Sequence, residues 1–392
     1  MLVGLAAYAV LAGADFGAGF WQLVGGRDER GRDQRELAHH AMGPVWEANH
    51  VWLIFVLVVC WTAYPEAFGS IASTLCIPLF IAGIGIILRG TAYALRSGAA
   101  NIHEQRRVEV TVAVSSILTP FALGAVVGAI ASLRVPVGNA AGDLVTSWLN
   151  PTSIVIGVLA VVTAAYLAAV YLAADAVRLG RPDLAAAFRA RALITAVVAG
   201  AVALGGLVDV HSDAEHLWDG LTSGAGLVAV IISVLAGIAA FALVWFSRFD
   251  AARLSASVAV AAIVAGWALA QRPLLLEGLT VEDAAASRSV LIAVIVAVAL
   301  GALLLVPSLA LLFGLLLKGR FDAPEVDTPV ARRRPQIRPK LLGIAGATLA
   351  VGSVLLFFFD SSWAHAVGVV SLFTFVATGF VALAALVAEA QD

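Results

Sequence analysis

Along this chain, apolar runs of about twenty residues alternate with short polar stretches. A run of that length matches the thickness of a bilayer's hydrocarbon core at about 1.5 Å per residue. Such runs fit at 2–24, 45–64, 69–95, 108–132, 152–177, 192–210, 225–246, 255–271, 289–317, 341–359 and 364–388. The pattern predicts an all-α fold, a polytopic transmembrane helical bundle of eleven helices. The polar outer segment 134–151 separates a first group of four helices, within 1–134, from a second group within 152–318. The stretch GRFDAPEVDTPVARRRPQIRPK then reads as a polar, proline-rich linker over 319–340, and 341–388 as an appended transmembrane hairpin.

Composition sharpens this picture. Of 392 residues, 61% are hydrophobic and 13% charged, which excludes a string of soluble domains with one core each. Basic residues set the orientation, because cytoplasmic loops retain Lys and Arg. With the N-terminus outside, the loops that follow odd-numbered spans hold twenty basic residues, from Arg27 to Lys340. The opposite loops hold only Arg134, Arg272 and Arg288, and Arg89 lies within a span. The split predicts a multi-pass protein of a prokaryotic cell membrane, N-terminus out and C-terminus in, whose first span inserts by itself. A net charge of −2 argues against nucleic acid as a partner. Cys60 and Cys76 have no CxxC or Cys/His spacing and read as two buried thiols.

Polar residues at depth carry the candidate chemistry. A charged side chain at mid-bilayer costs about 2.5–3.5 kcal/mol on insertion scales, so it has to face protein or a watery cavity. Counted along their spans, Asp15, Glu47 and Arg89 lie about 20, 25 and 30 Å below the outer ends. They are expected at successively lower levels, Arg89 nearest the cytoplasm. On the second span, Trp46, Glu47, Asn49 and His50 gather on one side at 100° per residue. Two readings are open for Glu47. It either favours a helix start after Pro44 and pairs with Arg89, or it loads protons at the entrance of a relay. Only His50 among seven histidines falls well within a span, so a bis-histidine haem site in this chain is not expected. Asp175 and Asp209 fall near span ends and read as interfacial.

Five segments in order resemble a known family: AGADFGAGFWQL (12–23), GPVWEANHVWLIF (43–55), AYPEAF (63–68), LRGTAYALR (88–96), and GWALAQRPLLL (266–276) followed by LTVEDAAA (279–286). The chain resembles subunit II of cytochrome bd-type quinol oxidases, the cyanide-insensitive branch included. The core Trp46, Glu47, Asn49 and Trp52 is distinctive, although the family often has Asp at Glu47 and Gly at Ala48. The resemblance covers about 1–318. It implies a nine-helix oxidase-subunit body, with the 341–388 hairpin as an addition.

It also implies a partner and a reaction. The partner would be a haem-bearing subunit I that carries haem b, haem d and the quinol site. This chain would hold no cofactor of its own, with a structural quinone left open. The complex would oxidise quinol and reduce dioxygen to water amid membrane lipid. Here the chain would stabilise its partner and line a cytoplasmic proton path through Asp15, Glu47 and Arg89. A proton-coupled secondary transporter is the alternative, and it predicts matched helix breaks in two halves. Pro78 and Pro120 are expected to break helices in the first half, without a counterpart in the second.

Overall fold

A computed structural model describes residues 1–26, 29–42, 46–96, 102–317, 339–359 and most of 361–378. The side chains of residues 40–42, 46–47, 93–96 and 102–109 lie outside that description, together with a few others near masked stretches. The linker 319–340 falls almost wholly outside it, as does the far end of the hairpin. The chain divides into two compact units, Met1–Phe313 and Gly314–Asp392.

The first unit is a helical bundle. Its elements are α1 (Leu2–Val24), α2 (Glu29–Met42), α3 (Trp46–Ala63), α4 (Pro65–Thr74), α5 (Cys76–Arg96), α6 (Ile102–Ala131), α7 (Pro151–Arg178), α8 (Pro182–Asp213), α9 (Glu215–Thr222), α10 (Gly224–Trp245), α11 (Phe249–Gln271) and most of α12 (Arg288–Leu317). Between α11 and α12, strand β1 (Leu274–Leu276) pairs antiparallel with β2 (Leu279–Thr280), turning at Gly278 with φ +72°. In the second unit, α13 (Pro339–Phe358) packs the bare Cα of Gly352 against Leu372 and the carbonyl of Gly368. Among the described residues, seven helices are long and apolar enough to cross a membrane: α1, α6, α7, α8, α10, α11 and α12. The pair α3 and α4 makes an eighth if counted as one bent span. This is a multi-pass helical membrane protein.

Three expectations need correction. The third span was placed at 69–95, but α4 turns 120° away from α3 and a separate helix begins only at Cys76. Pro65 is the cause: it disfavours a helical Tyr64, ends α3, and starts α4 at a position where its missing N–H costs nothing. For the same reason Pro78, in the first turn of α5, opens a helix rather than breaking one, whereas Pro120 and Pro307 sit inside α6 and α12. Finally, Cys60 and Cys76 are free thiols that are only half-buried.

Helix α2 lay in a stretch that hydropathy treats as loop. Its polar residues find partners instead of lipid: Asp33 meets Arg181 at 2.5 Å, Gln34 accepts from Arg191, and Leu37 and Ala38 enter the core. Helix α7 starts cleanly because the Asn150 side chain accepts from Ser153 N at 3.0 Å, ahead of Pro151.

Helix α1 is the axis of the bundle, packed along α6 and α7 and touching α3 and α11. Small residues make that possible. A Cβ on Gly17 would lie 1.9 Å from the carbonyl oxygen of Ala164 in α7, and one on Gly19 would lie 2.0 Å from Ser116 Oγ in α6. Close backbone approach is a common way for membrane helices to associate, since lipid supplies no hydrophobic drive between them. Gly17→Ala is therefore expected to force α1 off α7 and cost about 1–3 kcal/mol, read as a lower unfolding temperature in detergent. Gly13→Ala is the control: its Cβ would meet only Leu167 Cδ1 at 3.5 Å, an ordinary contact, and the midpoint should hold.

Candidate functional site

The site forms where α1, α3, α5 and α6 converge. Asp15 and Asn49 are both buried, and Asn49 Nδ2 donates to Asp15 Oδ2 at 2.5 Å and reaches the Leu11 carbonyl at 3.4 Å. Arg89 is 2% exposed. Its Nη2 donates to the main-chain oxygen of Asp15 at 2.6 Å, and its Nη1 to Ser116 Oγ at 3.1 Å. Ser116 in turn donates to the Val112 carbonyl at 2.6 Å, so the hydroxyl presents a lone pair to the guanidinium. The Phe16 ring covers the guanidinium, 4.7 Å from its centroid to Cζ.

Arg89 thus shares a level with Asp15, where depth counting had put it about 10 Å lower. The later start of α5 explains the difference. Asp15 comes thirteen residues after Leu2, and Arg89 thirteen after Cys76, so both lie about 20 Å down their helices.

The other candidates divide. His50 is buried with its ring edge-on to Tyr8 and to Phe16, each at 5.9 Å between centroids. Trp52 leans on the cluster of Tyr8, Ala12, Phe16 and Ala164. Trp46 and Glu47 open α3, but their side chains lie outside the described residues. Among the described residues no group of three or more His, Cys, Asp and Glu could hold a metal.

Ser116 and Phe16 were not singled out from the sequence. The pair Ser115–Ser116 in the apolar run VTVAVSSILTPF was a usable signal, since hydroxyls in a membrane helix often face other helices. Asp175, read as interfacial, is tied at 2.6 Å to Arg253, whose Nη2 also donates to the Tyr171 carbonyl.

At the other end of the bundle, further resembling segments meet. The amide of Ala286 donates to the Ala63 carbonyl at 2.8 Å, which fastens LTVEDAAA to AYPEAF. Gln271 Nε2 donates to the Ile130 carbonyl at 3.3 Å, and Leu276 and Leu279 pack with Ala67, Leu75 and Val135.

Comparison with known proteins follows the same lines. The family model described as cytochrome bd terminal oxidase subunit II matches residues 1–316. A putative cytochrome bd menaquinol oxidase subunit II of Bacillus subtilis (strain 168) is 26% identical over 246 residues, 60% of this chain and 68% of that protein. A cytochrome bd ubiquinol oxidase subunit 2 of the same organism is 29% identical over 114 residues, 29% of this chain and 33% of that protein. A chain in the structure of bd oxidase from Geobacillus thermodenitrificans superposes with a TM-score of 0.64 at 25% identity, covering 81% of this chain and 96% of that one.

The short Asn49 bond implies a direct test of the cluster. Asn49→Leu removes the donor to a buried carboxyl and is expected to cost about 1–3 kcal/mol, seen as a lower thermal midpoint in detergent. An unchanged midpoint would mean that Asp15 is satisfied without Asn49.

Proposed function

This chain belongs to the cytochrome bd terminal oxidase subunit II family, and on that premise we propose that it is the haem-free second subunit of a quinol-oxidising, dioxygen-reducing membrane complex. In that complex it stabilises a haem-bearing subunit I and lines a proton path from the cytoplasm. The observation that carries the path is the buried cluster of Asp15, Asn49 and Arg89. A carboxyl deep in a membrane bundle, tied to an amide and beside a fixed cation, is costly to keep and suited to taking and releasing protons.

The roles follow from position. The biased distribution of basic residues supports a Met1 end outside, in which case α3 begins on the cytoplasmic side. Glu47, in the first turn of α3, takes a proton there. Asp15 receives it further in, with Asn49 fixing its Oδ2 and Arg89 holding the local charge. The proton then passes toward the partner subunit, where dioxygen reduction consumes it. Quinol releases its own protons on the opposite side, and charge separates without a pump. Haem b and haem d are assigned to the partner. That only His50 of the seven histidines falls well within a span supports that assignment.

The transporter alternative has less to stand on, because it asks for discontinuous helices, whereas Pro78 starts a helix and Pro120 and Pro307 each sit inside a continuous one.

Neutral substitutions in the assembled complex test the path. Glu47→Gln and Asp15→Asn keep size and hydrogen-bonding capacity but remove the titrating group. Each is expected to lower oxygen uptake per haem by roughly tenfold or more, with haem spectra and complex yield unchanged, while Glu47→Asp keeps much of the rate. Oxygen uptake and a membrane-potential dye in proteoliposomes read both quantities. If both neutral variants turn over and separate charge normally, the acids leave the path. If yield falls and turnover per haem does not, their role is structural.

A further inference from the structure

The polar cluster does not close at Asp15. Three buried polar atoms beside and beyond it have no hydrogen-bond partner among the described residues: Asn49 Oδ1, Thr119 Oγ1 and the Tyr8 hydroxyl. Their residues are 3%, 0% and 7% exposed. Leaving such a group unsatisfied is costly, and buried polar groups without protein partners are commonly bridged by ordered water.

The three residues belong to α1, α3 and α6, with α1 packed against both of the others. Tyr8 precedes Asp15 by seven residues, which returns to the same face of α1 two turns away, about 10 Å along the axis. Between them stands Ala12, a small residue buried with Tyr8, Phe16 and Ala164. On α6, Ser116 lies against Gly19, and Leu123 against the cluster of Tyr8, Ala12 and Phe16. Thr119 falls between these two contacts, beside the turn of Asp15. It faces Gly85 of α5, where a Cβ would come within 2.2 Å of its hydroxyl oxygen. Asn49 reaches into the same space from α3, where its Nδ2 spans Leu11 and Asp15. Tyr8 is within electrostatic reach of both Asp15 and Arg89.

We propose that an internal file of water runs from Asp15 toward the Met1 end of α1, bound by Asn49 Oδ1, Thr119 Oγ1 and the Tyr8 hydroxyl, and that Tyr8 positions its far end. A span of about 10 Å takes about three waters at hydrogen-bond spacing. The phenol holds the last water, and its ring lies edge-on to His50. The file's existence rests on the orphaned atoms alone. Its use as the continuation of the proton route rests on the reading of Asp15 above.

A high-resolution map of the assembled complex, wild type and Tyr8→Phe, decides the first point. The expected result is water density within hydrogen-bond distance of the Tyr8 hydroxyl and Asn49 Oδ1, lost at the Tyr8 end in the variant. A dry site, or a Tyr8 hydroxyl bonded directly to a partner side chain or a lipid, overturns the proposal. Turnover decides the second point. Tyr8→Phe and Thr119→Val are each expected to slow oxygen uptake per haem by roughly threefold to tenfold and to change the ratio of rates in H2O and D2O, with normal haem spectra and yield. Full turnover and an unchanged ratio in Tyr8→Phe would overturn its positioning role. Should Asp15→Asn prove fully active, the proton reading fails instead, and the map alone judges the water.

Discussion

A cation held inside the bundle is the constraint around which this protein is arranged. Arg89 is buried in an apolar helix, and its charge is tolerable only where acceptors are already in place. One of those acceptors is unusual, because the Asp15 carbonyl belongs to a continuous helix and already serves its own ladder. A carbonyl has two lone pairs, but in most helices the side chains of the next turn cover the second. Here Gly19, four residues on, has no side chain, and the oxygen is open to a lateral donor. The same glycine admits Ser116 from α6, which supplies the second acceptor. The segment AGADFGAGF therefore does three things at once: it places a carboxyl, exposes a carbonyl and provides an aromatic face in Phe16.

That arrangement ties packing to electrostatics. The contact of Gly17 with Ala164 sets how closely α1 approaches α7, and the contact of Gly19 with Ser116 sets its approach to α6. Any residue that pushes α1 outward lengthens the bonds to Arg89 as well. Asn49 adds a tie from α3 through the carboxyl. Four helices are thereby coupled through one polar knot, a form of packing suited to a bilayer, where apolar surfaces gain little by meeting each other.

Much of this was legible in the sequence, and the remainder was hidden for physical reasons. Apolar runs located most of the spans, since bilayer thickness imposes a length that local sequence cannot evade. They failed at 65–76, where two proline-initiated helices share one apolar stretch and hydropathy does not register the bend. They also missed α2, which is polar because it pairs with Arg181 and Arg191 rather than with lipid. Depth counting found the residues of the site but misplaced Arg89, an error inherited from the start of its helix. The hydroxyl of Ser116 and the ring of Phe16 could be assigned only once four helices were set side by side. Glu47 was visible as chemistry from the outset, and its side-chain geometry is not among the described residues.

The segments that carry the family resemblance separate into two physical jobs. AGADFGAGFWQL, the helical part of GPVWEANHVWLIF and LRGTAYALR converge on the buried cluster, and each contributes a side chain or carbonyl to it. AYPEAF, GWALAQRPLLL and LTVEDAAA meet at the opposite end, where backbone bonds such as Ala286 to Ala63 and apolar contacts around Leu276 close the bundle. The value of this second group lies in fixing where α5 and α6 begin and end, since α5 starts at Cys76 immediately after the α4 turn that this cap holds through Ala67 and Leu75. A cap that sets the start of α5 also sets the height of Arg89, thirteen residues later. Distant segments of one signature are thus joined by the rise of a single helix, and a shift of one residue at the cap would displace the cation by about 1.5 Å and rotate it by about 100° away from Asp15.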